Sequence, residues 1–179
     1  MGKIVLIGGS QSNVGKTTLI RLILREYPKM FVALKITNNE RHGIGFTEET
    51  YATSIPNKDT YFFLEHAKKV FWARGNVEYL TENLPKYIKT IIDPIIVEGN
   101  VFFDIVKPDL FFFVEREGFE IKESAKKYKD LANYVVINGN YSFKLENNVI
   151  YANLDRLLTA EDKEFRNFIN AKIREVILT

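Results

Sequence analysis

Residues 8–18 read Gly-Gly-Ser-Gln-Ser-Asn-Val-Gly-Lys-Thr-Thr, and their types and spacing suit one task, the holding of phosphate. Small residues let main-chain N–H groups converge on an anion. A helix starting near Lys16 adds its unpaired N–H groups and the positive end of its dipole. Gly15 lets the backbone approach the ligand, Lys16 reaches the β- and γ-phosphates of a nucleoside triphosphate, and the Thr17 hydroxyl is suited to Mg²⁺. Gly9, Ser10, Ser12, Asn13, Val14 and Thr18 complete the expected phosphate-binding loop, or P-loop. Its common form has four residues between the two glycines. Here Ser10 takes the first glycine's place, and Gly9 leaves five between. The Gly-Lys-Thr that carries the chemistry is intact.

Three further residues are candidates for the same chemistry. Ile95-Ile96-Val97-Glu98-Gly99 reads as a buried strand with Glu98 at its C-terminal end, where open parallel sheets bind ligands. A carboxylate there holds Mg²⁺ or a metal-bound water, or orients the attacking group. Lys35, a charge inside Val32-Ala33-Leu34-Lys35-Ile36, has two readings: a contact to phosphate or an acidic substrate, or a surface lysine on an edge strand. Asn138, in Asn138-Gly139-Asn140, either reads a purine edge through its amide or forms an Asn-Gly turn. Lys16, Lys35 and Glu98 are the expected catalytic set, with Thr17 and Glu98 at the metal. Asp104 is a weaker acidic candidate nearby. His42 and His66 lack metal-ligand spacing and read as surface residues, in a loop and on a helix.

The P-loop needs a strand before it and a helix after it. Residues 3–7 form a compact aliphatic run, and residues 16–27 carry apolar positions at helical spacing up to Pro28. Further strands are expected at 31–36, 70–73, 94–97, 109–114 and 133–137, with a possible edge strand at 149–152. Residues 38–58 read as a long loop. Asp59 is the expected cap of a helix reaching about residue 68, and Asn76 of one reaching about 92, bent or broken at Pro85. Another helix is expected near 121–131. Thr159-Ala160-Glu161-Asp162 resembles a capping box opening a last helix. Near-continuous apolar strands alternating with amphipathic helices point to an α/β fold, a mostly parallel sheet with helices on both faces, in one domain spanning residues 1–179.

Composition narrows the function classes. With no cysteine, disulfides, thiolate metal sites and cysteine nucleophiles are excluded. A formal charge of +2 argues against nucleic acid as the main partner, and the cluster Lys126, Lys127, Lys129 reads as a solvated helix face. The longest apolar runs are too short for a bilayer, and Gly8-Gly9 interrupts any signal-like stretch. The chain reads as cytoplasmic, with no membrane partner.

Gly-Ser-Gln-Ser-Asn-Val-Gly-Lys-Thr-Thr, Val-Ala-Leu-Lys and Ile-Ile-Val-Glu-Gly together resemble the P-loop class of dethiobiotin synthetase and the nitrogenase iron protein. Within it the layout of the first 140 or so residues is most similar to the MobB family, small GTP-binding accessory proteins of molybdopterin guanine dinucleotide biosynthesis. That resemblance includes the Lys35-ended strand, the segment from Asp59-Thr60 through Glu65-His66-Ala67 to Val70, and Val97-Glu98-Gly99. It implies a P-loop NTPase domain using Mg²⁺ with GTP or ATP, a weak NTPase activity, a protein partner and a homodimer with facing sites. The chain departs from the family at Ile36-Thr37-Asn38-Asn39, where histidines are usual, and at Asn100-Val101-Phe102, and it lacks an Asn-Lys-x-Asp guanine motif. The alternative reading is an ATP-dependent ligase or kinase like dethiobiotin synthetase, acting on an acidic small molecule. A metallochaperone GTPase lacks its usual Cys or His ligands here.

Overall fold

A strand that is apolar on both faces has to be covered on both faces, and this requirement organises the chain. The computed structural model describes residues 1–158 and 162–178. In chain order the elements are β1 (Ile4–Gly9), α1 (Lys16–Glu26), β2 (Val32–Thr37), β3 (Gly45–Glu49), α2 (Asp59–Leu64), β4 (Lys69–Arg74), α3 (Val77–Ile88), β5 (Ile95–Glu98), α4 (Phe102–Ile105), β6 (Leu110–Arg116), α5 (Glu123–Lys129), β7 (Tyr134–Asn138), β8 (Lys144–Glu146), β9 (Val149–Ala152) and α6 (Lys163–Ile177). The strands form one sheet in the order β3-β4-β2-β5-β1-β6-β7-β9-β8. Its seven inner strands run parallel, and β3 and β8 close the two edges antiparallel.

Alternation along each strand divides the core in two. Val5, Ile7, Ala33, Val70, Ile96, Phe112 and Val114 face α1, α2 and α6. Ile4, Leu6, Leu34, Ala73, Val97, Phe111 and Phe113 face α3, α4 and α5. Each fully buried Leu, Ile or Phe contributes about 1.5–3 kcal/mol, so the paired cores give β1 and β5 a rigid position. Those two strands carry the P-loop and Glu98.

Several elements differ from the expectations, for local reasons. Residues 38–58 are not wholly a loop, because β3 lies within them and pairs with β4. Phe46 fixes that strand, stacking on Phe71 at 5.0 Å and on Tyr87 at 4.2 Å between ring centroids. One aromatic in a polar stretch is too little periodicity to announce a strand. Residues 149–152 are not an edge, since β8 covers β9 through a tight turn with Asn147 at φ 55°. The helix from Asp59 stops at Leu64, which leaves His66 in the turn before β4 instead of on a helix. Helix α3 neither breaks nor stops at Pro85; the Lys89 N–H closes onto the Pro85 carbonyl at 3.2 Å and the helix ends at Ile88. Asn76 caps it, accepting from the Tyr79 N–H at 2.9 Å.

Of the expected capping box, Thr159, Ala160 and Glu161 lie outside the described residues; Asp162 caps α6 by accepting from the Phe165 N–H at 3.0 Å. The lysines of α5 are each paired on the surface, Lys126 with Glu123, Lys127 with Asp104 and Lys129 with Glu115. Among the described residues no helix is long and apolar enough to cross a membrane.

Phe46→Ala is expected to cost about 2 kcal/mol by urea denaturation, through loss of two ring contacts. Amide exchange should quicken in residues 45–49 and leave β1 and β5 protected; unchanged exchange in that strand would show that the stack does not hold it.

Candidate functional site

The P-loop turns from β1 into α1 at the carboxyl ends of the parallel strands. Gly15 has φ 115°, and a Cβ there would lie 2.8 Å from Leu154 Cδ1 and 3.0 Å from Asn138 Nδ2, so only glycine fits. The Leu19 N–H bonds the Gly15 carbonyl at 3.0 Å. The N–H groups of Lys16, Thr17 and Thr18 therefore precede the first intrahelical bond and are open to an anion. The Lys16 ammonium donates to the Gln11 carbonyl at 2.6 Å across the loop.

Three side chains, one from the turn after β5 and two from the ends of β6 and β7, hold this shape. Asn100 brackets Gly9, accepting from its N–H at 2.8 Å and donating to its carbonyl at 2.9 Å. Arg116 donates to the Asn13 carbonyl at 3.0 Å and pairs with Asp155. Asn138, 1% exposed, donates to the Val14 carbonyl at 3.0 Å and accepts from the Leu154 N–H at 2.9 Å. Its amide is thus engaged with the loop and with Leu154.

Ser12, Asn13, Gly15, Lys16, Thr17, Thr18, Lys35 and Glu98 all line one cavity of about 910 Å³. Gly9, Ser10 and Val14 stand behind it. Ser10 and Val14 are fully buried, and the Ser10 N–H is taken by the Val114 carbonyl at 2.9 Å. These three residues shape the loop from within. Asp104 is elsewhere, bonded to Lys127 and to the Tyr128 hydroxyl.

Among the residues that sequence reasoning missed is Asp59, which lines the cavity. Lys58 occupies the cap position of α2 and makes no side-chain cap bond. Asp59 turns into the cavity, where it accepts from the Thr17 hydroxyl at 2.9 Å and pairs closely with Lys35. An acid opening a helix is ordinary, and only the tertiary placement tells this one from a cap.

Lys35 stands between two carboxylates, Asp59 on one side and Glu98 at 3.6 Å on the other. Burial pushes the Glu98 carboxyl above the usual range, against the pull of Lys35. Burial also works against the Lys35 ammonium, but Glu98 and Asp59 outweigh it and raise its pKa. At Asp59 burial is likewise overcome, first by Lys35, and the carboxyl is held low. Lys16 is lowered by burial; Glu98 offsets part of this and the like charge of Lys35 adds to it. Glu98 is 6% exposed, and its Oε2 has no hydrogen-bond partner among the described residues.

An orphaned carboxylate oxygen, a second carboxylate and a hydroxyl facing one cavity make a donor set of the hard oxygen type that Mg²⁺ takes. No group of three His, Cys, Asp or Glu suited to a metal occurs among the described residues. The fit is therefore to a cation that draws other ligands from phosphate and water, as Mg²⁺ does.

Lys35→Met is expected to destabilise the fold by about 3 kcal/mol near neutral pH, because it leaves Glu98 buried without a partner. The sign with pH follows from the shifts. The cost of ionising Glu98, whose folded pKa is raised, grows as pH rises from its unfolded value through its folded one. The stability from Asp59, whose folded pKa is depressed, is present above its unfolded value and lost as pH falls. Both terms make the deficit of the variant shrink as the carboxyls protonate. Denaturation across the acid range should show this convergence; a constant gap would remove the network from the account.

No protein-family model matches the chain, and no curated protein matches its sequence. Among solved structures it is similar to LpxK from Aquifex aeolicus in complex with ATP, with TM-score 0.56 and 13% identity over 84% of this chain and 53% of that one. The chain thus spans about half the length of LpxK. A putative plasmid partition protein from Borrelia burgdorferi bound to AMPPNP matches at TM-score 0.48 and 13% identity, covering 98% and 99% of the two chains. The MinD cell division protein of Aquifex aeolicus matches at 0.44 and 14%, covering 78% and 70%. With its strand–loop–helix at the carboxyl edge of a mostly parallel sheet, the chain shares the α/β fold of the LpxK structure.

Proposed function

We propose that the protein binds a purine nucleoside triphosphate with Mg²⁺ and catalyses attack on its γ-phosphoryl group. The observation that carries this reading is the convergence of Lys16, Thr17, Lys35, Asp59 and Glu98 on one cavity beside the open N–H groups of α1. Phosphoryl transfer asks little of a protein beyond positioning and charge stabilisation, and these residues supply both. The loop and Lys16 hold the phosphate chain. Thr17, Asp59 and Glu98 are the residues that would hold Mg²⁺, which would supply positive charge against the phosphates. Lys35 faces the transferring group, and Glu98 Oε2 is free to orient the attacking oxygen or take its proton.

An accessory GTPase of the MobB kind, working as a homodimer with a protein partner in molybdenum-cofactor assembly, rests on the short motifs quoted above. The cavity favours the second reading, a kinase or ligase. At about 910 Å³ it reaches past the P-loop to Trp72 and Arg74 on β4, more room than a triphosphate tail needs.

Lys16→Ala is expected to weaken triphosphate binding by roughly a hundredfold, the loss of a buried charge-assisted contact; unchanged ATP and GTP affinity would overturn the reading. Glu98→Gln and Asp59→Asn should leave metal-free nucleotide affinity near wild type and lower Mg²⁺-dependent phosphate release by about a hundredfold. Full turnover in either variant would remove that residue from the chemistry. Stabilisation of the fold by GTP alone would favour the accessory protein. Stabilisation by ATP that grows with an added acid favours the phosphotransferase.

A further inference from the structure

The cavity has a second half, and its chemistry is unlike that of the first. Glu98, Lys35, Thr37, Trp72 and Arg74 share one face of the sheet, because Lys35 is in register with Glu98 and Trp72, and Thr37 with Arg74. From β5 to β4 is two strand spacings, about 10 Å. At the far end Arg74 lies over the Trp72 ring, 4.4 Å from its centroid, and the Trp72 indole N–H donates to the Thr37 hydroxyl at 2.9 Å. The ring is thereby fixed, and so is the plane of the guanidinium resting on it.

Arg74 has no carboxylate partner among the described residues. Its Nε is buried without a hydrogen-bond partner, and Nη2 reaches only the Thr47 hydroxyl at 3.5 Å, the outer limit of a bond. A half-buried guanidinium so placed is under-satisfied. The acid of β3 on the same face, Glu49, is in register with Val70 and is already engaged, accepting from Thr47 at 3.1 Å and from Ser54 at 3.0 Å. Lys58 is a further cation lining the cavity. Positive charge in excess, donors in a fixed plane and a concave wall define an anion site.

We propose that Arg74, fixed on Trp72, binds the anionic end, a carboxylate or phosphate, of a small acceptor molecule whose other end carries the oxygen that attacks the γ-phosphoryl group. This rests on the phosphoryl-transfer reading. In that reaction the acceptor oxygen bonds to the γ-phosphorus, the bond to the β–γ bridging oxygen breaks, and its electron pair leaves with the nucleoside diphosphate. A hydroxyl acceptor yields its proton to Glu98. The anion at Arg74 sets which acceptor is chosen and takes no part in the bond changes.

The test measures thermal stabilisation of the full chain by Mg²⁺ with AMPPNP, and then by added glutarate, glycerol 3-phosphate or, as a neutral control, glycerol. At least one of the two anions should raise the melting temperature beyond the nucleotide alone, and glycerol should not. Arg74→Gln should weaken the effective anion by about tenfold and Arg74→Lys by less, with AMPPNP affinity unchanged in both. The melting temperature without ligand controls for folding, and the lysine variant keeps the comparison available should glutamine unfold the chain. Failure of both anions on a protein that binds AMPPNP overturns the subsite, as does an anion effect indifferent to Arg74. An anion effect abolished by Lys16→Ala and untouched at Arg74 places the anion in the P-loop and overturns it too. Failure of AMPPNP itself to bind overturns the parent reading.

Discussion

A lysine ammonium held between two carboxylates at the carboxyl end of β2 is the constraint around which the cavity is arranged. Lys35 joins Glu98 from the neighbouring strand to Asp59 from α2, and through Asp59 it reaches the Thr17 hydroxyl of the P-loop. Such a triad is a poor source of stability, because desolvation consumes much of the Coulombic gain. Its value is positional. It ties the strand edge, the P-loop helix and the segment leading into α2 to one another before any ligand arrives. It also leaves one oxygen of Glu98 without a hydrogen-bond partner among the described residues.

The P-loop is shaped separately, by neutral hydrogen bonds and one arginine. Asn100, Asn138 and Arg116 each bind a loop carbonyl. With those carbonyls turned toward the protein, the later N–H groups are left for the cavity, the preorganisation that makes electrostatic stabilisation effective. The same division explains Gly99, whose φ of 137° and close approach to Ile36 let the chain leave β5 just after Glu98. The carboxylate therefore ends its strand instead of continuing it.

The fold was legible because its signals are local and repeated. Apolar runs such as 95–97 and 110–114, and helical spacing in 19–24, state strand and helix without reference to the rest of the chain. The P-loop was legible because Gly15, Lys16 and Thr17 are adjacent. Lys35 was visible as an anomaly, a charge in an apolar strand, and Glu98 by its place at a strand end. Asp59, Asn100 and Arg116 were not, since each acts through a partner from 42 to 103 positions away and each residue type is common in loops and caps. For Asn138 the sequence left a purine contact and an Asn-Gly turn both open, and only the packing shows its amide turned to Val14 and Leu154. Strand β3 hid in a polar segment because its stability comes from rings on β4 and α3.

The antiparallel strands at the two margins bear on how the molecule keeps company. An open sheet exposes a row of main-chain donors and acceptors along each outer strand, which invites strands from other molecules. Here both margins are short and charged. β8 is three exposed residues with Lys144 bridged to Glu146, and on the other side Glu48 of β3 meets Lys69. Growth of the sheet from one copy into the next is thereby discouraged at both ends.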